Sequence, residues 1–282
     1  MNILVIGANS FVGQNLVHRL VEQKFGILGT SRTKSLVNSP HYNHIIWDSS
    51  NSNFPEIEVK IDAIVILSTV ANINQNQNII SANIKMITNA IKLIEIHRIK
   101  KVIFTSSMAA YNAHKELIKI DESTIPWSFE EYGLSKIVSE KLLKELDINE
   151  LSIIRLPGII GPKAIHSFIP SILKKLKSNE EVIISNPNSL FNHILAVSDL
   201  STLILKILSL NNVNIEAPVG VFPDITLMEI VNILKTATNS KSTISICDPI
   251  MPSSIIFSQV WNQLDLKQPR CSKTIQNFAM NY

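Results

Sequence analysis

Asn2-Ile-Leu-Val-Ile-Gly7-Ala-Asn9-Ser10-Phe11-Val12-Gly13 opens the chain, directly after Met1. Ile3 to Ile6 is a short, unbroken apolar run that ends in a glycine, and Leu16, Val17, Leu20 and Val21 follow at helical spacing. That pattern reads as a strand buried on both faces, a tight turn and a helix. A helix that starts this way presents unpaired backbone N–H groups and the positive end of its dipole, which together receive a pyrophosphate. Gly7, Asn9, Ser10, Phe11, Val12 and Gly13 are therefore expected at a dinucleotide.

Further strand candidates lie at Gly26 to Thr30, Ile45 to Trp47, Ala63 to Leu67, Val102 to Phe104 and Leu151 to Leu156. Between them, Ile80, Ile84, Ile87, Ile91 and Ile94 share a helical face in the stretch Ile79 to Ile96. Alternating strands and helices predict an α/β fold built on a doubly wound parallel sheet. After Pro157 many prolines break the chain into short elements. Residues 1–156 are thus expected to form the dinucleotide-binding domain, with a returning segment near 192–210, and residues 157–282 mainly a smaller, discontinuous substrate-binding lobe. The polar stretch Asn72 to Asn78 reads as a loop beside the cofactor.

The composition narrows the partners. A net charge of +3, with lysines such as Lys141 and Lys144 dispersed over surface-type helices, argues against nucleic acid. No apolar run approaches the length of a membrane helix, and no basic leader precedes the first strand, so no membrane partner is expected and the location reads as cytoplasmic. Cys247 and Cys271 lack CxxC spacing and suit a reducing compartment. His18, His41, His44, His97, His114, His166 and His193 show no ligand spacing, and no metal is expected.

Three places carry chemistry. The second strand ends Gly29-Thr30-Ser31-Arg32, without the acid that would bind a ribose diol, and a hydroxyl followed by a guanidinium favours NADP over NAD. Asp48 is placed to accept from the adenine amino group, or to serve as a turn residue. Ser106 and Ser107 end a buried strand, at the sheet edge where open α/β folds receive ligands, and a hydroxyl there polarises a carbonyl. Tyr132-Gly-Leu-Ser-Lys136 sets a phenol and an ammonium four residues apart on one helical face. The neighbouring positive charge favours the phenolate, so a group that titrates near ~10 in isolation becomes a proton exchanger at neutral pH. Leu134, Ile137, Val138 and Leu142 form the apolar stripe of that helix.

The order of these features resembles the extended short-chain dehydrogenase/reductase family, whose members include nucleotide-sugar epimerases, dehydratases and ketoreductases on a Rossmann-type fold. Ser107 and Tyr111 match its SSxxxY segment, Tyr132 and Lys136 its YxxxK, and Asn83-Ile84 the start of its NVxGT helix, with Met86 where glycine is usual. Asp121-Glu122 and Pro126 are similar to its ExxPxxP run, Arg155 with Ile160-Gly161-Pro162 to RxxxxxGP, and Val197-Ser-Asp199-Leu200 to HVxDLA. Ser10 replaces a glycine, Gly158 an asparagine, and Asn192-His193 an Arg-Asp pair whose arginine commonly touches a substrate pyrophosphate.

The resemblance implies that Ser107, Tyr132 and Lys136 are catalytic, with Ser107 holding a carbonyl oxygen, Tyr132 moving a proton and Lys136 serving both Tyr132 and the nicotinamide ribose. The expected cofactor set adds Ser31, Arg32, Asp48, Leu67, Ser68, Thr69, Asn83, Tyr132, Lys136 and Pro157 to the opening turn. The leading reading is an NAD(P)-dependent ketoreductase acting on a nucleotide sugar or related carbonyl. An NAD-dependent nucleotide-sugar epimerase is the alternative, and a non-catalytic dinucleotide sensor is the alternative of another class. By analogy with the family, a homodimer forms through the helices around Ile80 to Ile96 and Glu130 to Glu145.

Overall fold

The computed structural model describes residues 1–35, 37–71, 78–112, 119–165, 167–247 and 254–281. Strands β1 (Asn2–Ile6), β2 (Gly26–Ser31), β3 (Tyr42–Ile46), β4 (Ala63–Ile66) and β5 (Lys101–Ser107) come first, with helices α1 (Phe11–Glu22) and α2 (Ile79–Ile96) between them. Strand β6 (Lys119–Ile120), helix α3 (Glu131–Lys144) and strand β7 (Glu150–Leu156) follow. The remainder comprises β8 (Gly158–Ile160), α4 (Phe168–Lys177), β9 (Val182–Ile184), β10 (Ile194–Ala196), α5 (Val197–Ser209), β11 (Ile215–Pro218), α6 (Leu227–Ala237), β12 (Ile244–Ile246), β13 (Ile255–Ile256), α7 (Val260–Gln263) and α8 (Cys271–Met280). Except for Asn78, which caps α2, the loop expected at Asn72 to Asn78 lies outside the described residues, as do His114 and His166.

Two compact units result, one of Met1–Ala113, Ile125–Arg155 and Ser201–Glu216, the other of His114–Thr124, Leu156–Leu200 and Ala217–Tyr282. The first is built on a seven-stranded sheet in the order β11-β7-β5-β4-β1-β2-β3. Its pairs from β5 through β4, β1 and β2 to β3 are parallel. The chain starts at β1, runs outward to β3, then crosses back to β4, so the ligand-receiving switch point falls at the carboxyl ends of β1 and β4. The sheet is the doubly wound one that the sequence predicts, and β3 begins three residues earlier than the apolar run Ile45 to Trp47 because its outer residues Asn43 and His44 suit a half-exposed edge.

Leu4, Ile6, Ile64, Ile66, Ile87, Leu93, Val102 and Phe104 pack between the sheet and α2, all almost fully buried. Each such side chain contributes about 1.5–3 kcal/mol by leaving water. Helix α3 departs from the expected pattern. Its buried residues are Gly133, Ser135, Lys136, Ser139, Glu140 and Leu143, whereas Leu134 is exposed and Ile137, Val138 and Leu142 are half-buried. Apolar periodicity points to the wrong face here because the inward face is polar and satisfied by hydrogen bonds instead of by oil-like packing.

The second unit carries three two-stranded parallel ladders, β10 with β8, β12 with β9 and β13 with β6. Asn192, fully buried, holds β13 by donating to the carbonyls of Val221 and Ile256 at 3.0 and 2.7 Å and accepting from Ile256 N–H at 3.0 Å. Among the described residues, no helix is long and apolar enough to cross a membrane and no three His, Cys, Asp or Glu side chains gather as metal ligands.

Candidate active site

The β1–α1 turn has the close approach that a phosphate cradle needs. Gly7 sits at φ 92°, and a Cβ there would lie 3.0 Å from Ser68 N; a Cβ on Gly13 would lie 2.2 Å from the Gly7 carbonyl oxygen. Ser10, where the family has glycine, is the N-cap of α1, accepting from Gly13 N–H at 3.0 Å. The substitution thus keeps the turn and adds a cap.

Gly7, Asn9, Ser10, Ser31, Arg32, Asp48, Leu67, Ser68 and Thr69 line one cavity of about 290 Å³ at the carboxyl ends of β1, β2 and β4. Phe11, Val12 and Gly13 form the first turn of α1 behind it, and Pro157, between β7 and β8, does not line it. Ile6, Thr30, Thr33, Trp47, Ser49, Val70 and Met86 complete the wall; sequence reading did not single them out as cofactor contacts, although Trp47 and Ser49 flank Asp48 and Met86 stands one turn beyond Asn83. Three buried polar atoms of this wall, Thr30 Oγ1, Trp47 Nε1 and Ser68 Oγ, have no hydrogen-bond partner among the described residues. Buried polar groups are rarely left so, and their gathering around one cavity fits a polar dinucleotide. Asn9 Nδ2 ties the turn to the loop after β2, donating to Thr33 O, Thr33 Oγ1 and Lys34 O at 2.9–3.0 Å. Arg32 is exposed and makes no ion pair among the described residues, while Asp48 accepts from Ser50 N–H at 2.9 Å and Ser50 Oγ at 2.7 Å, a turn role.

From the cavity wall a hydrogen-bond path leads to α3. Asn83 Oδ1 accepts from Val70 N–H at 2.8 Å and from Thr69 Oγ1 at 3.3 Å, and its Nδ2 donates to Val70 O at 2.9 Å and Ser135 Oγ at 3.0 Å. Ser135 Oγ in turn donates to Tyr132 O at 2.7 Å. The Asn83 amide is fully engaged within the protein and lies outside the lining of the cavity.

Tyr132, half-buried, stands in the first turn of α3, and Lys136 follows one turn later at 3% exposure. Lys136 Nζ donates to Thr105 O at 3.0 Å and lies 4.7 Å from the Phe104 ring centre and 5.8 Å from that of Tyr132. Burial pushes the Lys136 ammonium down, opposed by charge interactions with Tyr132 and Glu140. Ser107 caps the 3-10 turn Met108–Tyr111, its Oγ accepting from Ala109 N–H at 3.1 Å. Helix α3 lies on that turn so tightly that a Cβ on Gly133 would meet Ala109 O at 2.2 Å and Ser128 Oγ at 2.3 Å. Glycine beside Tyr132 therefore brings the phenol's helix down onto the serine's turn.

The second unit has its own cavity, of about 420 Å³, walled by Gly158, Ser167, Phe168, Ile169, Phe191, His193, Ile194 and Ser254. Two of the residues that depart from the resembled family, Gly158 and His193, meet there. Burial pushes the His193 imidazole down, partly offset by its 2.8 Å hydrogen bond with Ser254 O. Among the described residues, no lysine or arginine lines this wall.

Residues 3–217 match the NAD dependent epimerase/dehydratase family, and the chain belongs to that family. It is 28% identical over 258 residues to the CDP-abequose synthase of Salmonella muenchen, covering 86% of this chain and 83% of that protein. A Methanocaldococcus jannaschii protein, provisionally named a UDP-glucose 4-epimerase, is 24% identical over 250 residues, 83% and 81% of the two chains. Among solved structures, the Bordetella bronchiseptica enzyme WbmG in complex with NAD and UDP superposes with a TM-score of 0.83 at 17% identity, over 99% of this chain and 94% of that one. At such identity the superposition speaks for the fold, which is Rossmann-type; the family makes the protein an NAD-dependent enzyme.

Proposed function

We propose that the protein is a nucleotide-sugar 4-epimerase that keeps its dinucleotide through the catalytic cycle. The observation that carries dinucleotide-linked chemistry at Tyr132 is the path Thr69–Asn83–Ser135–Tyr132, which couples the cofactor cavity to the helix bearing the phenol and ammonium; the family favours the 4-epimerase form of that chemistry. It is supported by the provisional 4-epimerase relative and by neighbours such as the Bacillus cereus UDP-glucuronic acid 4-epimerase with UDP-glucuronic acid and NAD.

When bound, the nicotinamide supplies and accepts hydride at the sugar carbon. Tyr132 takes the proton of the sugar hydroxyl as hydride leaves and returns it as hydride comes back. Lys136, held by Thr105 O, keeps a cation beside that phenol, and Ser107 holds the sugar oxygen. The first unit is the dinucleotide-binding half and the second the substrate half, its cavity taking part of the nucleotide sugar. A cytoplasmic location and a homodimer through α2 and α3 belong to the same reading; the half-exposed Ile137 and Val138 suit such an interface.

The second reading, a ketoreductase that exchanges NADPH at each turnover, is favoured by Ser31 and Arg32 in the cavity wall. Purified protein separates the two. An epimerase interconverts UDP-glucose and UDP-galactose, or their uronic acid counterparts, without added cofactor and releases NAD on denaturation. Protein that carries no dinucleotide and consumes NADPH with a 4-keto nucleotide sugar overturns the epimerase reading in favour of the reductase.

A further inference from the structure

Helix α3 presents Tyr132, Lys136 and Glu140 at successive turns of one face, and only the first two belong to the proposed chemistry. Glu140 is 2% exposed and Arg155, on β7, 1%. Arg155 grips the Glu140 carboxylate from two sides, with Nε at 3.0 and 3.2 Å from its oxygens and Nη2 at 2.7 Å. Its Nη1 donates to the Tyr111 hydroxyl at 2.9 Å, and Nη2 also reaches Glu216, which pairs with Lys144 at 2.6 Å. Glu140 additionally accepts a hydrogen bond from Ser106 Oγ, on the residue next to Ser107.

The same helix is thus fastened to the end of β5 at consecutive residues, Lys136 on Thr105 and Glu140 on Ser106, while Arg155 joins Glu140 to Tyr111 at the far end of the turn that Ser107 begins. A buried ion pair of this kind is a poor source of net stability, because desolvation consumes most of the Coulomb gain, but it defines geometry sharply. We propose that Glu140, braced by Arg155, is a positioning residue that fixes the register of Tyr132 on α3 against Ser107 on β5. Neither side chain touches the reacting atoms; both act through their neighbours. The inference rests on the proposed roles of Tyr132 and Ser107.

Ser106→Ala removes only the hydroxyl that fastens the strand to Glu140 and leaves the Arg155 grip in place. It is expected to lower kcat roughly ten-fold, since small misplacements of reacting groups cost this much or more, while KM and the dissociation constant for NAD change by less than about two-fold. In a Tyr132→Phe background the same substitution is expected to have no further effect. Arg155→Lys, which keeps the charge and loses the two-sided grip, is expected to lower kcat in the same way, and thermal unfolding of both variants verifies that they fold. Wild-type kcat in folded Ser106→Ala, or a loss confined to KM, overturns the clamp alone. A folded wild-type protein with no turnover overturns the functional reading and the clamp with it.

Discussion

Lys136 reaches from helix α3 to the end of strand β5, its Nζ donating to the Thr105 carbonyl oxygen at 3.0 Å from a site 3% exposed. An ammonium is held there against the cost of desolvation, which pushes its proton affinity down, while interactions with Tyr132 and Glu140 push back. Lys136→Met keeps the volume and removes the charge. Turnover is expected to fall by about 10²–10⁴-fold, the usual size of a general acid–base contribution. Steady-state rates on folded protein, verified by circular dichroism, check this.

Gly133→Ala tests the packing that brings the two candidate residues together. The added Cβ would meet Ala109 O and Ser128 Oγ at 2.2 and 2.3 Å, and the first of these is backbone. A loss of about 1–3 kcal/mol in unfolding free energy is expected from overpacking, with a fall in kcat because the phenol shifts with its helix. Urea unfolding alongside rate measurement reads both; a stable, fully active variant contradicts the close contact.

Much of this arrangement is legible in the sequence, and the part that is not has a common physical character. Strands β1, β4, β5 and β7 announce themselves through apolar runs, and part of the wall of the cavity at the β1–α1 turn follows from the short motif Gly7 to Gly13 and from strand ends, because both are local. Strand β11 escapes, since Ile215-Glu-Ala-Pro218 has neither the length nor the alternation of a strand signal. The inward face of α3 escapes because its residues are satisfied by partners elsewhere in the chain: Ser135 by Asn83, Glu140 by Arg155 and Ser106. Ser10 departs from the family pattern in sequence, and only its bond to Gly13 N–H reveals it as a helix cap.

Arg32 lines the cavity proposed for the cofactor, without an ion pair among the described residues. A charge-assisted bond to a 2′-phosphate is worth about 1.5–3 kcal/mol. On the reductase reading, Arg32→Ala is therefore expected to weaken NADPH binding by roughly ten-fold or more while leaving NADH affinity within about two-fold. Fluorescence titration with the two reduced cofactors measures the difference, and equal losses for both contradict a phosphate-selective role.

Glu216 gives the fold an acid limb. Burial raises its carboxyl, but hydrogen bonds from Lys144 and Arg155, with their charges, outweigh that and hold it below its ordinary value of 4.5. A carboxyl depressed in the folded state contributes stability above its unfolded value, and that contribution is lost as pH falls through the folded value. Stability is thus expected to decline below about pH 4.5, and Glu216→Gln to flatten the decline. Thermal midpoints recorded from about pH 7 down to about pH 3 for both proteins test the sign; identical acid slopes rule out the contribution.

The most direct test of the whole account is Tyr132→Phe, which removes one oxygen atom from the half-buried head of α3 and touches none of the bonds that fasten the helix to β5. NAD affinity, measured by titration calorimetry, is expected to stay within about two-fold of wild type, while UDP-sugar interconversion falls by about 10²–10⁴-fold. A variant that turns over at the wild-type rate would show that the proton moves by another route.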